Sequence, residues 1–449
     1  LSKISKNKNK TMINKISLIL LLCVFSVSTF AQTMPQGADA ALWQKALKIH
    51  KKALIVDGHN DITSPMYDED FSLASNSIGK YHLDGTPFHT DFSRLKTGNI
   101  TGVFFSVYVD RNFAEKEPFG SMKRAMNLID TVYREAEKYP GKMMMATSTR
   151  DIRTAKKQGK VAALMGIEGG HAIEDSIYAL RNFYRLGVRY ITLTHNNTNN
   201  WADACCDKTP DGKEYKPHGG LNEFGEEVVR EMNRLGMLVD LSHVSDDTMR
   251  DVLKIATAPV IYSHSSARNF SNHPRNVPDD ILKMVAKNGG VVMVNFYPGF
   301  LDQRNLDEDN ARSKRLEAEI KEISEKYKGE PRKENEAMRQ LYAANPIYFP
   351  SYTRIVDHID QIKNVAGIDY IGIGSDYDGV PSLPTGMNGA EDHVLITYEM
   401  LRRGYSEGDI KKVLGENFMR AFAKAEEVAR INSRKISGEG SLKKMETQK

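Results

Sequence analysis

The chain of 449 residues carries only three cysteines, and that scarcity removes a whole class of architectures. Cys23 lies in an apolar N-terminal stretch, which leaves Cys205 and Cys206 for the rest of the molecule. Two adjacent cysteines cannot build a framework of long-range disulfides, so stability must come from an ordinary core. The pair is either a vicinal disulfide or two thiols. It suits zinc poorly, since zinc-binding cysteines are normally about two to four residues apart. A net basic charge is also missing. The formal charge is +4, but Lys3, Lys6, Lys8, Lys10 and Lys15 all precede residue 32 in a stretch without acidic residues, and the remainder stands at −1. That balance gives no signal for nucleic acid. There is no internal repeat.

The first 31 residues read as a secretory signal. Lys15 follows a start at Met12, with residues 1–11 upstream of it. The apolar stretch Ile16–Val27 is shorter than the roughly 20 residues that span a bilayer. Thr29 and Ala31 suit a cleavage site before Gln32, and Leu22 before Cys23 fits a lipoprotein site poorly. The expectation is an exported protein, periplasmic or secreted, with no stable membrane anchor after cleavage. The body of the molecule is expected over residues 40–431. The polar tail from 432 to 449 is expected to be disordered.

Eight short apolar runs punctuate that body: Leu54–Val56, Thr101–Val109, Val161–Ile167, Tyr190–Leu193, Met237–Leu241, Pro259–Tyr262, Gly290–Phe296 and Tyr370–Ile373. They are continuous rather than alternating, as strands buried on both faces are. Helical segments separate most of them, among them Ser121–Tyr139, Ser176–Leu186, Asn222–Leu235, Ser245–Ile255 and Pro278–Asn288. Strand and helix in eightfold alternation predict an α/β fold, the (β/α)8 TIM-type barrel. An open doubly wound sheet is the alternative. The Gly-rich dinucleotide fingerprint it favours is absent, and Asp57-Gly58-His59-Asn60-Asp61 stands after the first strand instead. Two stretches exceed a minimal barrel: Tyr67–Asp91 after the first strand, and the charged insertion Asp302–Pro350 after the seventh, expected to be helical over Ala311–Tyr327 and Lys333–Ala344.

Polar chemistry collects at the ends of these runs. His59, His195, His243 and His264 close four of them; Asp61, Glu168, Asp376 and Asp378 hold equivalent places on others. In a barrel all of these ends open on one face. His59 and Asp61, at i and i+2, share a face in an extended segment, although such a pair also serves as a hydrogen-bonded strand end. Glu168, after a buried strand, needs a partner, which a metal, a salt bridge or a helix cap would supply equally well. A single strand-end histidine is usually a satisfied core residue; His243 and His264 on neighbouring strands point toward metal. Mixed nitrogen and carboxylate ligands favour zinc, with manganese, cobalt and iron left open. A two-metal site implies metal-assisted hydrolysis.

The ordered set of motifs resembles the membrane (renal-type) dipeptidases, peptidase family M19, within the amidohydrolase-like barrels. It comprises Val56-Asp57-Gly58-His59-Asn60-Asp61, Gly166-Ile167-Glu168-Gly169-Gly170, Leu193-Thr194-His195-Asn196 with Trp201-Ala202-Asp203, Asp240-Leu241-Ser242-His243, Ser263-His264-Ser265-Ser266-Ala267-Arg268, Asn272-His273-Pro274-Arg275-Asn276 and Gly374-Ser375-Asp376-Tyr377-Asp378-Gly379. These stretches run in family order from about residue 45 to 425. The resemblance implies a dipeptidase with two divalent metal ions, zinc foremost. His59 and Asp61 would hold one ion, His243 and His264 the other, and Glu168 would bridge them. It further implies that His195 contacts the substrate carbonyl and stabilises the oxyanion, that Arg275 binds the substrate carboxylate, and that Asp376 moves the proton to the departing amine, with Asp378 the competing candidate. Dipeptides with a C-terminal D-residue and a non-covalent homodimer are carried by the same analogy. Two rivals stand beside it. One is another amidohydrolase chemistry, such as a deaminase, lactonase or phosphotriesterase. Several of those use a carboxylated lysine where Glu168 stands. The other is a non-catalytic binding protein, which retention of all eight residues argues against.

Overall fold

Each of the eight apolar runs becomes a strand in the computed structural model, which describes residues 32–115 and 120–446, with side chains as far as 432. The strands are β1 (Ile55–Asn60), β2 (Ile100–Tyr108), β3 (Met143–Met145), β4 (Val161–Glu168), β5 (Val188–Thr192), β6 (Leu238–Asp240), β7 (Ile261–Tyr262), β8 (Val291–Val294) and β9 (Ile371–Ile373). Every pairing is parallel. The ring runs β1–β2–β4–β5–β6–β7–β8–β9 and closes through β9 onto β1 at Asp57 and Ile373. This is the expected closed (β/α)8 barrel. The unexpected strand is β3. It pairs with Val161–Ala163 at the start of β4, on the edge that β5 takes over from Met165. Three methionines before a helix are too short a run to register as a strand in sequence.

The strand residues sort into two packed layers. Val56, Phe104, Leu164, Tyr190, Leu238, Ile261 and Met293 form an inner cluster. Ile55, Val103, Phe105, Met165, Ile191, Val239, Val292 and Ile373 pack outward with the helices. Both faces are covered, so alternation in hydrophobicity never had to arise. Phe418 and Phe422 of the last helix join the inner cluster, and Phe418 meets Phe104 edge-on at 5.4 Å. Gly415, just before them, lies so close to the Leu54 carbonyl that a Cβ would stand 2.4 Å from its oxygen. The last helix thus seals the end where the strands begin.

Helix starts follow their caps. Ser176, Asn222 and Ser245 each accept a backbone N–H from three residues on, which satisfies donors a helix start leaves open. The insertion after the seventh barrel strand forms Gln303–Arg315, Glu317–Lys326 and Pro331–Ala344. Its helical part begins earlier than expected, because Asp302 caps Arg304. Among these helices only Asn305 is buried, as a solvated charged face requires. The insertion reaches the excursion that follows β1. Asn335 donates to the Leu83 carbonyl, Arg339 lies over the Tyr81 ring at 4.2 Å, and Gly85 leaves the room that Asn335 occupies.

Three further expectations meet the structure here. Cys205 and Cys206 are disulfide-bonded. The tail expected to be disordered from Asn432 continues the last helix, Asn417–Glu446; the segment contains no proline to stop it. The signal sequence lies outside the described residues. Within them, no helix is long and apolar enough to cross a membrane.

Candidate metal centre and active site

The strand ends are first knitted together by two buried aspartates. Asp57 on β1 accepts the Ser375 N–H at 2.8 Å and its hydroxyl at 2.5 Å, tying β1 to the loop after β9. Asp240 on β6 accepts the Ser263 N–H at 2.8 Å, the Ser263 hydroxyl at 2.6 Å and the Thr192 hydroxyl at 2.5 Å. These bonds fix the loops that carry Asp376 and His264. In sequence the two aspartates were only letters of motifs, since nothing local tells a strand-tying carboxylate from a ligand.

His59, at the end of β1, is fully buried. Its Nε2 lies 3.2 Å from Asp61 Oδ2 and 3.3 Å from Glu168 Oε2, and has no hydrogen-bond partner. The other oxygen of Glu168 faces a different pair: Oε1 is 2.9 Å from His243 Nε2 and 3.4 Å from His264 Nε2. Those two nitrogens are themselves 2.9 Å apart. Three imidazole nitrogens thus converge on one carboxylate, two on one oxygen and one on the other. A buried imidazole nitrogen without a partner is costly. Positive charge on either side of Glu168 would satisfy all of these atoms, and divalent cations suit such donors.

The outward nitrogens of the three rings are all engaged. His59 Nδ1 meets Tyr190 Oη at 2.8 Å, His243 Nδ1 meets Asn196 Oδ1 at 2.9 Å, and His264 Nδ1 meets Ser263 Oγ at 2.7 Å. Such partners orient rings toward a metal. Protonation is suited to the same end at two of the three rings. Burial, with Arg275 and His195 nearby, holds His243 well below the usual imidazole range; burial, with His59 and Arg275, takes His264 to about 3. Burial opposes charge on Glu168, but His59, His243 and His264 outweigh it and keep the carboxyl well below its usual range. Burial also opposes charge on His59. Tyr190, Glu168 and Asp61 outweigh it there, so a cation would have to displace a firmly held proton.

Asp376 lies within metal-ligand range of His59 and Asp61. Its Oδ2 accepts from Asn295 Nδ2 at 2.7 Å, and burial raises its carboxyl above the usual range. Asp378 is directed elsewhere. Its Oδ1 accepts the His89 N–H at 2.8 Å and lies 3.2 Å from His82 Nε2, while its own N–H donates to His89 Nδ1. It fastens the excursion after β1 to the barrel mouth. His243, Asp376 and Asp378 all take positive φ, 68°, 62° and 65°. Left-handed backbone at non-glycine residues is a cost that clusters at functional sites.

His195 stands beside Glu168 and His243, its ring 4.4 Å from His243 and 4.9 Å from Tyr108 between centroids. Arg275 is 2% exposed and forms no ion pair among the described residues. Its guanidinium donates to Ser265 Oγ at 3.1 Å and to the His264 carbonyl at 3.0 Å, and its Nε is buried without a partner. Burial takes it down to about 10. An unpaired buried cation calls for an anionic ligand.

All of this surrounds one cavity of about 1020 Å³, lined by Asp61, Glu168, His195, His243, Arg275 and Asp376. His59 and His264 are buried beside it. The structure brings together every residue singled out in sequence; Asp378 also lines the cavity, but its Oδ1 is taken up by His82 and the His89 N–H. Sequence reading missed His82, Tyr108, Tyr297 and Phe300, which also line the cavity. His82 and Tyr297 sit on loops, Tyr108 is the last residue of β2 and Phe300 lies in the short helix Pro298–Leu301, and no local pattern shows that these four face one chamber.

Several solved structures share the fold. A Pseudomonas aeruginosa protein described as "the probable dipeptidase PvdM" covers 87% of this chain and 100% of its own, with a TM-score of 0.72 and 24% identity. A metallopeptidase of family M19 described as dipeptidase AC covers 83% and 98%, with a TM-score of 0.65 and 22% identity. A metallopeptidase from Rhodobacter sphaeroides, described as liganded with a phosphinate mimic of the dipeptide L-Ala-D-Ala, covers 83% and 99%, with a TM-score of 0.64 and 22% identity. At these identities the likeness concerns the fold. The sequence pattern of one family matches residues 43–435, a span that holds the whole cluster. The chain belongs to the membrane dipeptidases, peptidase family M19, and is a peptide-bond hydrolase.

Proposed function

We propose that this protein is a zinc-dependent dipeptidase that hydrolyses dipeptides, those with a C-terminal D-residue included. The observation that carries the reading is the division of Glu168, one oxygen toward His59 and the other toward His243 and His264. His59 and Asp61 would hold one cation, His243 and His264 the second, and Glu168 both. When bound, a pair of divalent cations polarises the scissile carbonyl and makes water acidic enough to attack near neutral pH.

The residues of the chain do the rest. Arg275 receives the substrate carboxylate through its free donors, a task that suits a planar guanidinium. His195 faces the same chamber and donates to the oxygen that becomes negative as the carbonyl turns tetrahedral. Asp376, oriented by Asn295 and raised by burial, takes the proton from the attacking water and delivers it to the departing nitrogen. A D-residue fits because the anchors are the carboxylate and the reacting carbonyl, with the side chain left to the chamber. The phosphinate mimic of L-Ala-D-Ala described for the Rhodobacter sphaeroides protein supports that choice.

One experiment tests the reading: hydrolysis of L,L- and L,D-dipeptides with metal quantified in the same sample. Close to two zinc ions per chain and cleavage of both series are expected. Protein that takes up no metal when zinc is supplied, or that cleaves no dipeptide, overturns it. The proposal extends to a homodimer and to export of the mature chain to the periplasm or medium; N-terminal sequencing of the exported protein is expected to begin at Gln32.

A further inference from the structure

We infer that Tyr190 is the positioning residue of the His59 half of this centre, and sets how firmly that half retains its cation. The inference rests on the metal reading above. The Tyr190 hydroxyl is fully buried and lies 2.8 Å from His59 Nδ1 and 3.3 Å from the Gly58 carbonyl oxygen. The carbonyl can only accept a hydrogen bond. When the single phenol proton is given to Gly58, the phenol oxygen accepts from His59 Nδ1–H. The imidazole then carries its proton on Nδ1 and presents a bare lone pair at Nε2, toward Asp61 and Glu168. A metal ligand needs that tautomer.

The arrangement is built into the barrel core. Tyr190 is on β5 and His59 on β1, with β4 and β2 between them in the ring. The phenol ring passes over Gly166 of β4, where a Cβ would stand 2.0 Å from the ring carbon that bears the hydroxyl. Gly166 has no need of glycine for its backbone angles, since its φ is not positive. What it gives is space. Phe104 of β2 supports the ring at 4.8 Å between centroids.

The other two imidazoles are held by shorter means. Ser263 is the chain neighbour of His264, and passes the bond on to Asp240. Asn196 reaches His243 from an exposed position, where water could take its place. His59 depends on a residue across the barrel in a region closed to water, so loss of the hydroxyl cannot be made good by solvent. Without it the Nδ1 proton has no acceptor, and the tautomer with its proton on Nε2 competes directly with the cation.

The test is retention of zinc by Tyr190→Phe, which keeps the ring and removes only the oxygen. Wild-type and variant holoenzymes are dialysed against graded concentrations of a zinc chelator, and zinc per chain is measured alongside circular dichroism. The variant is expected to keep the wild-type spectrum and to release one of its two ions at a chelator strength about 10- to 100-fold lower, the second ion remaining as in wild type. Two ions in wild type with equal retention in Tyr190→Phe overturn this inference alone. Loss of both ions in parallel also overturns it, because the hydroxyl touches only His59 among the proposed ligands. A wild-type chain that takes up no zinc overturns the metal reading and this inference with it. Asn196→Ala serves as the second variant and is expected to hold both ions at the wild-type chelator strength, since water takes the place of its amide; a loss as large as that of Tyr190→Phe overturns the contrast between the two rings.

Discussion

The two ends of this barrel are made by the same eight strands and have opposite characters. Where the strands begin, the interior is apolar, and Phe418 and Phe422 close it. Where they finish, buried carboxylates, imidazoles and a guanidinium crowd together, and three residues adopt left-handed backbone. The first end is packed apolar surface, and the second carries several costly features at once. The contrast teaches that the sealed end makes the open end possible. A rigid floor supplies the stability against which an electrostatically costly mouth can be held in place.

Substitutions should separate the two ends by what they damage. The largest effect is expected for Glu168→Gln, which removes the carboxylate charge shared by both halves of the centre. Zinc should be lost and turnover should fall by about 10³-fold or more, since a metal contributes several kcal/mol to such a transition state. Unchanged zinc content by elemental analysis would contradict the assignment. Asp376→Asn should keep its zinc and lose about 10²-fold or more in kcat; near wild-type turnover would remove Asp376 from proton transfer. Arg275→Ala should weaken free dipeptides by about 10- to 100-fold in kcat/KM, with little effect on C-terminally amidated ones. Equal losses on both substrates would speak against carboxylate binding.

At the floor the readout changes. Phe418→Ala should cost about 3–5 kcal/mol in unfolding free energy, while folded molecules keep their zinc and their kcat/KM. A selective loss of zinc in that variant would break the division between the two ends. The smallest effect concerns acid. His50 and His358 are buried and held neutral, and burial lowers each to about 4. His358 Nδ1 accepts the Ala267 N–H, so that ring cannot take a second proton without losing the bond, and His50 is held neutral by burial between the Thr397 hydroxyl and the Gly98 carbonyl. The unfolded chain therefore binds more protons than the folded one below pH 6.5. Stability is full above that value and is lost as pH falls toward about 4. Melting temperatures across this window should decline, less steeply in His358→Asn; identical slopes would contradict the prediction.

Much of this was legible in sequence because buried parallel strands write themselves as unbroken apolar runs, and barrel geometry gathers whatever follows them. His59, Glu168, His243 and His264 stand at strand ends, so position alone brings them to one face. Relations across the barrel could not. Tyr190 reads as one more apolar strand residue until the register shows its hydroxyl at His59, and Gly166 reads as a motif glycine until the ring above it is seen. Asp376 and Asp378 are two residues apart and chemically alike. Only the loop that brings His82 and His89 against Asp378 tells them apart. Beyond Asn432 polarity alone does not tell a disordered tail from a helix, because a charged sequence without proline suits both.

The seating of Asn335 and Arg339 on the segment around Leu83 has a consequence for redesign. The excursions after the first and seventh barrel strands lie more than two hundred residues apart in the chain, yet one is shaped to the other through Tyr81, Leu83 and Gly85. They pack as one unit encoded in two places. A chimera that imports either piece alone would bring a key without its lock, whereas transplanting both together would carry the rim of the chamber intact onto another barrel.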